Sequence, residues 1–291
     1  MICRLAPLRF TAFSLLACAL ALTGCDVLRV FFPKHELETE PPELPADLKS
    51  PALLVFTKTN GFRHTEAIPA GVALIEEIAK RRGWSVFHTE SGAVFNEQQL
   101  AKFQATVWHQ VSGDVLTAEQ RAALQRWIEG GGGWVGIHGA GGDREYAWEW
   151  YVHDLVGAQF IGHTMGPQFQ TATWVTENPL HPATKQLPEK WQHEEEIYSF
   201  AESPRERAGY LVLVSVDERT YSPLEKILWN ERDLRMKDGD HPMVWHHCVE
   251  RGRAFYSALG HQAKSYEEPE MRLLLEGALA WALRLEGIGC E

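Results

Sequence analysis

Two hydrophobic patterns alternate along the chain. Short solid apolar blocks are separated by stretches in which apolar positions recur every three or four residues. Ala52–Thr57 (ALLVFT), Trp84–His88 (WSVFH), Ala105–His109 (ATVWH) and Trp134–His138 (WVGIH) are the blocks. Each is short for a helix and lacks polar alternation, which predicts strands buried on both faces. Between them Val72, Ile75, Ile78 and Ala79 share one helical face, with Glu76–Lys80 and Glu77–Arg81 at i,i+4 and Gly83 as the stop. Thr117 followed by Gln120 reads as a capping box, Ala123, Leu124, Trp127 and Ile128 as the buried stripe behind it, and Gly130–Gly133 as its end. Later, Tyr210–Val216 and Arg253–Leu259 read as strands, and Met271, Leu274, Leu275, Ala278 and Ala282 as a closing amphipathic helix. Strands alternating with helices predict one α/β domain built on a mostly parallel central sheet.

The first fifty residues follow neither pattern. Phe10–Leu22 is an uncharged apolar run of 13 residues behind Arg4 and Arg9. A membrane span needs about 20 residues, so the run has instead the length of a signal-peptide core. It ends in Leu22-Thr23-Gly24-Cys25, which resembles a bacterial lipobox. That predicts a signal peptide over residues 1–24 and a lipid on Cys25, placing the protein in a bacterial cell envelope, anchored to the membrane and facing the periplasm or the exterior. Residues 25–50, with HELETEPPELPAD, read as an acidic, Pro-rich tether, and residues 51–287 as the domain.

Composition narrows the function. With 45% hydrophobic and 23% charged residues the chain is globular rather than disordered. Lys and Arg number 28 against 39 Asp and Glu, a net charge of -11 that repels phosphate backbones, so no nucleic-acid partner is expected. Five Cys without a CxxC pair exclude a zinc ribbon and a disulfide-dense scaffold. Beyond Cys25, Cys248 and Cys290 remain, and whether they pair is open at this level.

In a parallel sheet, ligands bind beyond the carboxyl ends of the strands. His64 (in TNGFRH), His138 (before GAGGD) and His261 (after Leu259-Gly260) fall there. His163 lies in IGHTMG, His241 precedes Pro242, and Glu196 closes a run of three Glu, read as a mostly solvated face with one inward carboxylate. Neutral imidazoles with a carboxylate suit one divalent metal, zinc or similar. Without metal they suit acid–base catalysis. With neither HExxH nor HxH in the sequence, the spacing leaves both open.

The segments GFRHTEAIPAG (61–71), GGGWVGIHGAGG (131–142), HPAT (181–184), EEIY (195–198), DHPMVW (240–245) and GRAFYSALGH (252–261), in this order, resemble the ThuA-like family, named for trehalose utilisation, of the class I glutamine amidotransferase-like superfamily. Ala67, Glu195 and Thr164 depart from residues usual there. The resemblance implies a flavodoxin-like three-layer sandwich and a small-molecule carbohydrate partner, trehalose or a keto sugar. It implies isomerisation, hydration or hydrolysis, with His138, Glu196 and His64 catalytic and His163, His241 and His261 as metal ligands. Lys58 and Arg63 would hold sugar oxygens, while Trp148 and Tyr151 would stack on sugar faces. Where superfamily relatives carry a nucleophilic Cys this chain has His138, and neither Cys248 nor Cys290 lies on such an elbow, so a Cys-dependent glutaminase is not expected. The alternative is a non-catalytic sugar-binding lipoprotein, which would have no need of converging His.

Overall fold

The computed structural model describes Arg29 and residues 32–290. The expected signal peptide and Cys25 lie outside the described residues. The strands are β1 (Ala52–Phe56), β2 (Ser85–Thr89), β3 (Ala105–His109), β4 (Gly133–Ile137), β5 (Phe160–His163), β6 (Phe169–Thr176), β7 (Lys190–Glu196), β8 (Tyr198–Phe200), β9 (Leu211–Val216), β10 (Leu224–Ile227), β11 (Asn230–Asp233), β12 (Pro242–Val249) and β13 (Gly252–Ser257). Every residue of β1, β3, β4 and β13 is buried. Successive strand side chains point to opposite faces, so unbroken burial means that both faces are covered there, as the solid apolar blocks predict.

One nine-stranded sheet runs β2-β1-β3-β4-β13-β12-β9-β6-β7. The pairings from β2 to β13 are all parallel. Beyond β13 every pairing is antiparallel. Seven of the nine strands nonetheless point the same way, because only β12 and β6 are reversed. The protein is thus an α/β protein with a large, mostly parallel sheet. β7, at the far edge, shares the direction of β1, β4 and β13, so its last residue, Glu196, arrives at the same carboxyl edge as the loops that carry His64, His138 and His261.

The helices follow their local signals. Ala67–Arg82 ends at Gly83, whose φ of 74° lets its N–H reach back to Ala79 and Lys80 carbonyls. Ala118–Glu129 starts at the Thr117–Gln120 capping box. The closing helix, Pro269–Ala282, packs on Ala67–Arg82, and Arg81 clips the two together through Glu276 at 2.8 Å. Gly277 lets that helix approach the turn at His181: a Cβ there would sit 2.1 Å from the Pro182 carbonyl oxygen. Helix propensity alone favours Gly277→Ala by up to about 1 kcal/mol. The overlap with backbone reverses the sign, and a net loss of about 2 kcal/mol is expected. It should appear as a lower urea midpoint at unchanged slope.

The described part of the segment expected to be an acidic, Pro-rich tether makes contacts with the domain. Lys34 N–H donates to Asn60 O at 2.7 Å, Asn60 Nδ2 to Glu36 O at 3.0 Å, and Gln99 Nε2 to Pro42 O at 2.6 Å. Leu44 and Leu48 pack on the core. Cys248 and Cys290, left open above, form a disulfide with an S–S distance of 2.04 Å, so neither is a free thiol.

Candidate active site

A left-handed turn at the carboxyl edge lies at His138. β4 ends at Ile137, and His138 takes φ 47°, a left-handed value rare for residues other than Gly and often found at functional sites. The turn closes on Gly141 and Gly142, where a Cβ would meet the Tyr256 ring at 2.6 Å and the Tyr198 hydroxyl at 2.7 Å. The His138 ring is fully buried, and its Nδ1 donates to Ala258 O at 2.7 Å. Nε2 lies 3.1 Å from the His261 Nδ1 and 3.4 Å from Glu196 Oε2. His261 Nδ1 also stands 2.9 Å from Glu196 Oε2. His64 closes the group, its ring edge-on to those of His138 and His261 at 4.9 and 4.6 Å. One ligand atom from each of His64, His138, Glu196 and His261 falls within 4.8 Å of the others.

The charges of this group depend on one another. Burial alone would raise the Glu196 carboxyl, but hydrogen bonds from His138 and His261 and the nearby His163 outweigh it and hold it well below the usual range. Burial, reinforced by His138 and His261, pushes His64 well below the usual imidazole range, so it is neutral. His261 goes the other way: burial lowers it, but the bond to Glu196 and the charges of Glu196 and Glu195 raise it overall. A buried carboxylate therefore faces three imidazoles, and a proton on His261 or a cation among them balances its charge.

Glu195, read in the sequence as a departure from the family pattern and not as a site residue, builds the frame. Its carboxylate accepts the backbone N–H of Glu196 at 3.0 Å, of Gly260 at 2.7 Å and of His261 at 3.2 Å. It joins the end of β7 to the loop after β13. His193 bridges it to Glu268, at 3.3 and 2.5 Å. Of the three consecutive Glu, Glu195 and Glu196 are both buried, where one inward carboxylate was expected.

Other expected site residues land elsewhere. His163 is not among the four converging residues; its Nδ1 stands 3.1 Å from the outer oxygen of Glu196, beside Gln168 Nε2 at 2.5 Å from the same atom. His241 is not brought to the group either. Its Nδ1 meets Glu218 at 2.7 Å and the Tyr221 hydroxyl at 3.0 Å, and its Nε2 donates to Tyr198 O at 2.7 Å, so both nitrogens are engaged in holding loops. Tyr151 is 4% exposed with its hydroxyl on Ala140 O, which leaves no face for a sugar. Trp148 is half-buried, stacked on Trp150 at 5.1 Å and on Tyr151 at 5.7 Å, with Arg121 over its ring. Arg63 is bonded to Thr59 and Glu90, and Lys58 to Glu38.

The family model for trehalose utilisation matches residues 52–282, a span that contains all four converging residues. The chain belongs to the ThuA family. A crystal structure of a ThuA-like protein from Bacteroides uniformis is similar at 24% identity and TM-score 0.67, over 84% of this chain and 95% of that one. A ThuA-like protein from Parabacteroides merdae aligns at 16% identity and TM-score 0.58, over 81% and 90%. At these identities the likeness is one of ThuA fold. No curated protein sequence matches the chain.

Proposed function

We propose that this ThuA-family chain is a membrane-anchored enzyme of carbohydrate metabolism. Its flavodoxin-like sandwich would present a His/Glu centre that holds one divalent metal, zinc or similar, to trehalose-derived or keto sugars. The observation that carries this reading is the convergence of three imidazoles and one carboxylate within 4.8 Å. Three supports come from the donors themselves. Three nitrogens and one carboxylate oxygen are the ligand types of catalytic zinc sites. His64 Nδ1 is buried without a hydrogen-bond partner. His138 Nδ1 is pinned on a carbonyl, the outer bond that orients a metal-bound imidazole.

A divalent cation in this centre would polarise a sugar carbonyl or acidify a water. The chain's own groups handle the protons. Glu196 is ionised and can accept one. His163, with 26% of its side chain exposed, meets both the outer Glu196 oxygen and Thr164 O through Nδ1 and would steady the carboxylate from the solvent side. His64, held neutral, takes no positive charge that would repel a cation. Acylation of Cys25 would fix the enzyme to the membrane.

Metal analysis of the purified mature protein should find about one zinc per chain, and mass spectrometry a lipid on Cys25. Oxidised disaccharides should be turned over until a chelator stops the reaction. Sugar binding with neither zinc uptake nor turnover would favour the sugar-binding lipoprotein instead.

A further inference from the structure

We propose that Lys58 and the Gly92 amide form a carboxylate-binding subsite at the carboxyl edge, that Glu38 of the chain's own N-terminal segment occupies it in cis, and that the ligand replacing Glu38 is a sugar acid. This rests on the carbohydrate reading above and narrows its substrate class.

Lysine is rarely buried unless paired, and Lys58 is 5% exposed, two residues beyond the end of β1. Among the described residues, the carboxylate bonded to it is Glu38. Glu38 lies outside residues 52–282, the span shared with the family, whereas Lys58 lies inside it. The buried cation thus belongs to the domain and its partner to the appended segment. The Glu38 carboxylate is held at two points: Oε1 by the Lys58 ammonium and Oε2 by the Gly92 N–H at 2.9 Å. One oxygen per donor is the demand of a carboxylate. Beside it opens a cavity of about 420 Å³, lined by Lys34, Glu36, Asn60, Arg63, Glu90 and Ser91 among others, whose donors and acceptors suit sugar hydroxyls. That volume lies in the range of small-molecule sites. Arg63 lines the cavity and is followed directly by His64 of the His/Glu centre.

A neutral sugar that displaced Glu38 would strand a buried ammonium. A sugar carboxylate exchanges charge for charge. Glu38 competes from within the same chain, so it masks weak ligands without contributing affinity of its own. The segment is also held by Lys34 N–H on Asn60 O, Gln120 Nε2 on Glu38 O and Gln99 Nε2 on Pro42 O, so Glu38→Gln removes the competing charge and leaves the strap in place.

The test is calorimetric titration of the mature chain, Glu38→Gln and Glu38→Gln/Lys58→Met with gluconate, glucose and inorganic phosphate, with thermal melts to verify folding. Gluconate should bind Glu38→Gln about 10-fold or more tighter than the unaltered chain. Glucose should bind no tighter, phosphate should bind more weakly than gluconate, and the added Lys58→Met should abolish the gain. Equal gluconate affinity with and without Glu38, an equal gain for glucose, or phosphate binding as well as gluconate would each overturn the proposal. A zinc titration of the same three proteins separates the two readings. Loss of zinc binding in all three with the gluconate gain intact sinks the metal centre alone, while unchanged zinc binding without the gain sinks the subsite alone.

Discussion

Replacing His138 with Ala should lower zinc affinity by more than about 100-fold and leave the domain folded. Changing a group that merely orients a ligand costs about 10- to 100-fold, and His138 would be a ligand itself. The structural cost is smaller. Outside the His/Glu group the imidazole is anchored on Ala258 O, and its backbone sits at φ 47°, where Ala is no better placed than His. About 1–2 kcal/mol should be lost for that bond and the space left, against a typical margin of roughly 5–15 kcal/mol. His241→Ala is the contrasting variant. Both of its ring nitrogens hold neighbouring segments, so its loss should lower the melting temperature and spare zinc stoichiometry. Zinc titration and thermal melts on the two variants form a crossed test. A His138→Ala protein that binds zinc as tightly as its parent removes His138 from the site.

The parts legible in the sequence are those whose cause is local. β1, β3 and β4 show as unbroken apolar blocks because the sheet is covered on both faces there, and the Thr117 capping box and Gly83 stop act within one turn. His64, His138 and His261 could be singled out because strand ends on one sheet edge are close by topology alone. The antiparallel half was harder. β7 (KWQHEEE) is an edge strand that exposes alternate residues near its start, so it shows no apolar block. Its two buried carboxylates resemble a solvated charge run because their partners, at His261 and the Gly260 amide, are more than sixty residues away. His241 shows the converse error. Its partners Glu218 and Tyr221 are fixed by the fold of a loop, and a His-Pro dipeptide does not encode them. The segment 34–50 has the composition of a spacer, yet its backbone groups meet Asn60, Gln99 and Gln120 on the domain surface.

Four other imidazoles should make the fold acid-labile. His109, His181, His246 and His247 are pushed down by burial, to about 4, 3, 4 and 3. The geometry gives the reason. His109 Nε2 donates to Ala67 O and His247 Nε2 to Asp154 O, while the His181 and His246 rings meet, tilted, at 4.5 Å. Each ring keeps one buried nitrogen with no hydrogen-bond partner, so a second proton would have no acceptor. Unfolded, the four titrate near ~6.5. Above that pH both states are neutral and the fold has its full stability. Below it the unfolded chain binds protons that the folded one refuses, so stability falls as pH drops from about 6.5 toward 3. At about 1.4 kcal/mol per pKa unit, His109 alone would account for roughly 3 kcal/mol over that window, and two such groups would consume much of a domain's margin. His193 and His261 are raised, so their contribution is present below ~6.5, is lost as pH rises through their folded values, and does not offset the acid loss. Urea midpoints measured from pH 8 to pH 4.5 should fall steadily below about pH 6.5, with at least about 3 kcal/mol lost by pH 5. His247→Phe, which keeps the stack on Tyr210 at 3.9 Å, should flatten the slope by up to one proton's worth, about 1.4 kcal/mol per pH unit. A midpoint that stays level from pH 7 to pH 5 would mean that these rings take up protons inside the fold.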